Sequence, residues 1–151
     1  MIWRPGLPLP LKPIPGGPKR EGRLCGVVCE PVMYDDGVVV PVGYLCDGAS
    51  VPWWARPIIP AWDDHLGAAL YHDWRYSVGQ PGRRREADDG FRRLLERSGL
   101  PPHRAALMHR AVRLAGGRGY AMAEAWWSAC FYDAGGGYRV SPPFPRREAF
   151  R

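Results

Sequence analysis

Long apolar runs are missing from this chain of 151 residues. Nothing approaches the roughly 18 consecutive apolar residues that a membrane-spanning helix needs, so no span is expected. Prolines at positions 5, 8 and 10 break any apolar stretch of a secretory leader. A chain without a signal peptide, made in a cytoplasm, is therefore predicted. Cysteine is scarce, with Cys25, Cys29, Cys46 and Cys130 the four present. Cys25 and Cys29 have no second C-x-x-C or H-x-x-H pair at ligand spacing, which excludes the usual zinc patterns. All four read instead as free thiols buried as small hydrophobes. No segment repeats. No G-x-S-x-G elbow is present, so a triad of Ser50, His72 and Asp88 lacks its usual nucleophile turn.

Other features are in surplus. Seventeen prolines and nineteen glycines predict a large irregular fraction. Seven tryptophans are many for this length and point to a core or an interface. The net charge of +6, carried mainly by arginine, favours anionic partners. Nucleic acid, phospholipid headgroups and an acidic protein face all satisfy that condition. The Arg83–Arg85 run reads as a solvated helix start, since the usual nucleic-acid motifs are absent. His65, His103 and His109 share no ligand spacing and read as surface residues.

Six prolines lie within Met1–Pro18. Each fixes φ and removes a backbone donor, so residues 1–22 read as an extended, polyproline-like arm. Such an arm gains order by burying Trp3, Leu7, Leu9 and Leu11 against its own domain or a neighbouring chain. Residues 135–151 read as a similar tail, leaving residues 23–134 as one domain. Within it, Asp35-Asp36-Gly37 between valine-rich runs is a hairpin signal. Helical periodicity begins after Pro60, with Asp63 or Asp64 as a cap and an end near Val78. Further helices are predicted over about Arg84–Arg97, from Pro101-Pro102 to about Ala115, and over about Tyr120–Tyr132. The third places Ala105, Met108 and Val112 on one face. The fold class is α+β: an N-terminal β-hairpin with extended Pro-rich arms, then three or four helices.

The densest chemistry lies in LYHDWRYSVGQPGRRREADDGF, residues 70–91. Helical neighbours three, four and seven apart share a face. This predicts His72, Asp73 and Tyr76 on one side of the first helix. In the second helix Asp88, Phe91 and Leu95 share the apolar stripe, while Asp89 joins Arg92, Arg93 and Glu96 on the wet side. A carboxylate on a core-facing stripe needs a partner. His72 and Tyr76 are the expected ones. The same trio suits a base and its orienting acid, or a satisfied core histidine tying two helices together.

V-P-V-G-Y-L-C-D-G-A-S-V-P at 40–52, A-L-Y-H-D-W-R-Y at 69–76, R-R-E-A-D-D-G-F at 84–91 and V-R-x-x-G at 112–116 together resemble a family of small phage and prophage proteins. That family is itself a domain of unknown function. The resemblance spans roughly residues 38–118. It implies a virion protein, in or near the tail, baseplate or head–tail region, meeting other virion proteins through its arms. The H-D-x-x-Y plus A-D portion is also similar to the secretory phospholipases A(2). That similarity implies His72 as the general base, Asp88 as its orienting carboxylate, Tyr76 as support for Asp88, and Asp73 as a calcium ligand. Here Arg75 stands where that group carries a cysteine. The glycine-rich calcium loop of that group is not recognisable, and Asp47-Gly48-Ala49-Ser50, its candidate substitute, reads first as a local turn. The expectation is therefore no tightly held zinc, and calcium held weakly at most. Two functions follow as expectations. One is an assembly protein of a phage particle that keeps a hydrolase-like site. The other is a phage hydrolase acting on phospholipid or cell envelope.

Overall fold

A computed structural model of the chain describes residues 2–17, 20–46, 65–78, 82–118, 120, 131–132 and 138–139. The elements run β1 (Leu11–Gly17), β2 (Arg20–Val28), β3 (Val32–Met33), β4 (Val39–Val40), β5 (Leu45–Cys46), α1 (Leu66–Val78), α2 (Arg84–Arg97) and α3 (Pro102–Ala115). A 3-10 turn over Gly116–Arg118 and a short pair, β6 (Phe131–Tyr132) with β7 (Tyr138–Arg139), follow. Strands first and helices after make the fold α+β, as expected. Asp63 and Asp64, proposed as the cap of α1, lie outside the described residues. So do residues 121–130 of the expected fourth helix, whose last two positions are strand β6 instead.

The expected arm is replaced, over its second half, by a strand. β1 pairs with β2 antiparallel from Leu11↔Val28 to Gly17↔Arg20, and β5 lies on the other side of β2. Register explains how a proline-rich segment enters a sheet. Antiparallel ladders alternate between hydrogen-bonded and non-bonded pairs. The Cys29 N–H donates to the Pro10 carbonyl at 2.8 Å, which makes Pro10 one of the bonded positions. Pro13 and Pro15 then fall at non-bonded ones, so the N–H groups they lack would have pointed away from β2. The first half of the segment is anchored at Trp3. Its N–H donates to the Met33 carbonyl at 2.8 Å, and its indole N–H to the Leu7 carbonyl at 3.2 Å. Trp3 is buried and Leu9 and Leu11 pack against the core, but Leu7 stays exposed.

The second hairpin forms where the sequence placed one. Val32 faces Val40 and Met33 faces Val39. The Gly37 N–H bonds the Tyr34 carbonyl at 3.1 Å, and the Tyr34 N–H bonds the Val38 carbonyl at 2.8 Å. Gly37 has φ +85°, the left-handed position that ends a three-residue hairpin loop. The loop is tied to the helices. Asp36 Oδ2 accepts from the Tyr71 hydroxyl at 2.7 Å and from Arg93 at 3.3 Å, and Asp35 pairs with Arg97.

α1 is buried on most of its circumference. On one side the Tyr34 hydroxyl donates to the Gly67 carbonyl at 2.7 Å, and the Tyr44 and Ser77 hydroxyls meet at 3.1 Å. Trp3 lies directly on Gly67, where a methyl group would strike the indole ring. The other side packs on α2, which packs in turn on α3. α2 ends in a Schellman motif: the Leu100 N–H reaches the Leu95 carbonyl and the Gly99 N–H the Glu96 carbonyl, both at 3.1 Å, with Gly99 at φ +87°. Pro102 opens α3, where its missing donor costs nothing. Ala105 and Met108 are buried and Val112 half-buried on its inner face, as the spacing predicts. Two surface expectations fail. His65 is 4% exposed, because it leads directly into the buried start of α1. Cys29 is exposed where β2 ends, whereas Cys46 is buried in β5.

Candidate functional site

α1, α2 and α3 meet at one carboxylate. Asp88 is completely buried. It lies on the same α2 stripe as Phe91 and Leu95, where the helical spacing put it. His72 and Tyr76 come from α1, one turn apart. His72 Nε2 lies 3.1 Å from Asp88 Oδ1, and the Tyr76 hydroxyl donates to the same oxygen at 2.6 Å. The predicted contact among all three is therefore present. The His72 ring lies between Tyr76 and Phe91, with centroids 4.1 and 4.6 Å away.

Two arginines complete the site, and sequence reasoning missed both. Arg113 Nη1 of α3 donates to Asp88 Oδ2 at 2.8 Å. Arg84 Nε of α2 lies 3.7 Å from the same oxygen and donates to the Tyr76 hydroxyl at 3.1 Å. Arg84 Nη2 also reaches the Val112 and Arg113 carbonyls, at 2.8 and 2.5 Å. Those carbonyls belong to the last turn of α3, which has few intrahelical donors and a negative dipole end. Arg84 therefore caps one helix while opening another. It is the middle of the Arg83–Arg85 run read as solvated. Arg83 and Arg85 do face water, with exposed acid partners Glu86 and Asp89, while Arg84 turns inward. The available signal was V-R-x-x-G at 112–116. It supplies Arg113, and also Gly116, where a Cβ would stand 2.6 Å from the Tyr76 hydroxyl.

Electrostatics fixes the protons. Burial pushes the Asp88 carboxyl upward, but hydrogen bonds from His72, Tyr76 and Arg113 outweigh it and hold the acid below its ordinary value. Asp88 is thus ionised at neutral pH and can only accept. Burial pushes the His72 imidazole down, and the attraction of Asp88 does not restore it. His72 is therefore neutral, with its proton on Nε2 facing Asp88 and its lone pair on Nδ1. Burial raises the Tyr76 hydroxyl far above neutrality and keeps it a donor.

Asp73 does not join this group. Adjacent helical residues diverge by about 100° around the axis, so Asp73 points to β5, with its Oδ2 3.9 Å from the Cys46 sulfur. Asp47-Gly48-Ala49-Ser50, the candidate loop, lies outside the described residues. Among those described, no group of three or more His, Cys, Asp or Glu side chains converges on a metal position. One carboxylate falls short of the six to eight oxygens of a calcium cage, so the described residues do not fit that ion. A second pair, His109 Nε2 with Asp89 Oδ1 at 2.9 Å, ties α3 to the wet face of α2.

No curated protein and no solved structure matches the chain. A family model described as "Protein of unknown function (DUF1353)" matches residues 27–112. That stretch holds both hairpin strands β3 and β4, all of α1 and α2, His72, Tyr76, Arg84 and Asp88, and most of α3. The match covers more than half of the chain, and the chain belongs to this family.

Proposed function

We propose that this chain is a structural and assembly protein of a phage particle, in or near its tail, baseplate or head–tail region, and that the Asp88 cluster is a clamp on its three helices. One observation carries the clamp reading: Asp88 is already neutralised by two guanidiniums, Arg113 at 2.8 Å and Arg84 at 3.7 Å. An orienting acid in a hydrolase stabilises the imidazolium that forms when its histidine takes a proton. Here one carboxylate faces two arginines before His72 is counted. A proton on His72 would add a second uncompensated positive charge in a buried site, which is unfavourable. The phage setting rests on the motif resemblance over residues 38–118.

A second reading, hydrolysis of phospholipid or cell envelope, is favoured by one detail. Nε2 of His72 is occupied by Asp88, with Tyr76 on the same oxygen, so Nδ1 is left as the basic atom. In that reading Nδ1 takes a proton from water as its oxygen attacks an ester carbon, the bond from that carbon to the alcohol oxygen then breaks, and Nδ1 returns the proton to the departing alkoxide.

The experiment has two arms. The purified full chain is assayed on phosphatidylcholine and phosphatidylglycerol vesicles and on peptidoglycan, beside Asp88→Asn. Particles from a host carrying the gene are purified and their proteins measured by mass spectrometry. The clamp in a virion protein requires the chain in particles at fixed stoichiometry and no hydrolysis above buffer. Hydrolysis that Asp88→Asn lowers by about 10²-fold or more, the scale of general-base catalysis, would replace it with the second reading. Absence of the chain from particles would end the assembly proposal.

A further inference from the structure

The outer face of α3 has no role in the site, and its composition is one-sided. The helix PHRAALMHRAVRLA holds three arginines, two histidines and no acid. Its inner face is accounted for by Ala105 and Met108 in the core, His109 on Asp89 and Arg113 on Asp88. Leu107 and Leu114 point the other way, 45% and 88% exposed. Seven residues apart, they share one stripe. Arg104 and Arg110, both exposed, flank that stripe, and neither forms an ion pair among the described residues. The exposed acids on α2 are engaged elsewhere: Glu86 with Arg83, Asp89 with His109 and Arg85, Glu96 with Arg92. Two bare leucines thus lie among unpaired cations on a chain of net charge +6.

That charge calls for an anionic partner, and the shape of the face decides its kind. A stable protein interface buries about 800 Å² per partner around a desolvated apolar centre. Two leucines seven residues apart on one helix offer little apolar area among the described residues. A bilayer asks less. A helix lying in the interface needs only apolar side chains entering the acyl boundary and basic ones at the headgroups. Arginine suits the flanking positions, because its stem packs on apolar surface while its guanidinium stays at the phosphates.

We propose that the outer face of α3 is a peripheral contact for an anionic phospholipid bilayer, with Leu107 and Leu114 entering the acyl boundary and Arg104 and Arg110 at lipid phosphates. This inference does not rest on the assembly reading, and none of the four residues belongs to the Asp88 cluster.

The test is flotation of the full chain with vesicles of phosphatidylcholine alone and of phosphatidylcholine with phosphatidylglycerol, at low and high salt. The native chain should float with the anionic vesicles only, and less so as salt screens the arginines. Arg104→Glu with Arg110→Glu should lower the bound fraction about tenfold or more. Leu107→Ser with Leu114→Ser should lower it too, while both double variants keep the native melting temperature. A native chain that ignores anionic vesicles at low salt overturns the proposal, as do double variants that float like the native chain. A chain that ignores vesicles but self-associates, with the leucine variant restoring the monomer by light scattering, assigns the face to a second copy and also overturns it.

Discussion

Replacing Asp88 by alanine is the sharpest test of how the three helices are held. The side chain is fully buried, and its two oxygens receive His72, Tyr76 and Arg113, with Arg84 close by. Alanine leaves the Tyr76 hydroxyl and His72 Nε2 without an acceptor, at about 1–3 kcal/mol for each buried orphan. It also strips Arg84 of its nearest carboxylate. Arg113 is 37% exposed, so water screens its loss and its share is small. The total should be about 3–5 kcal/mol, the range for breaking a buried pair from one side. For a domain of this size, that corresponds to a fall in melting temperature of roughly 6–20 °C. Asp88→Asn should cost less, about 1–3 kcal/mol, because the amide oxygen still accepts from Tyr76 and His72. Urea unfolding followed by tryptophan fluorescence reads both values. A loss under about 0.5 kcal/mol for Asp88→Ala, typical of an unremarkable surface change, would refute the clamp outright.

Stability should also fall with acid in two windows. The unfolded chain protonates a histidine near pH 6.5, above the depressed value of buried His72, so stability is full above that pH and falls as pH drops towards the folded value. Asp88, also depressed, contributes fully above about pH 3.9 and its contribution is lost as pH falls through its folded value. Thermal melts across pH check this, and His72→Gln should remove the upper window alone. Gly116→Ala should push Tyr76 off Asp88, since the added carbon would sit 2.6 Å from the hydroxyl. The expected cost is about 1–3 kcal/mol, measured by urea midpoint, and a neutral result would show that the 3-10 turn gives way freely. Trp3→Ala should cost about 3–5 kcal/mol and expose the first residues to protease, because Trp3 is only 4% exposed.

Local signals in the sequence carry directly into the structure. α2 begins and ends at Arg84 and Arg97, as its apolar spacing and the Ser98-Gly99 stop require, and Asp35-Asp36-Gly37 makes the turn of β3 and β4. The trio His72, Tyr76 and Asp88 was legible because each sits on a helical stripe whose direction is fixed by period. Arg113 was not, since it meets Asp88 across 25 positions and nothing local distinguishes it from a solvated arginine. Arg84 was hidden inside a charge run for the same reason. Asp73 stands three residues before Tyr76 and so shares a face with it by helical spacing, yet the one step that separates it from His72 turns it to another neighbour, the Cys46 thiol. The strand β1 was missed because proline content argues against a sheet, and only the pairing register shows that the missing donors are not needed.

That register has a consequence for solubility. A sheet whose margin carries alternating donors and acceptors is a template for another strand, from a second copy or a misfolded one. At Pro13 and Pro15 the outward margin of β1 carries carbonyls but no donors, so an incoming strand finds no complementary ladder. On the far side of the same sheet, Tyr44 next to β5 is bridged to Phe131. The segment richest in proline thus blunts its own margin of the sheet against an added strand, from a second copy or from a misfolded one.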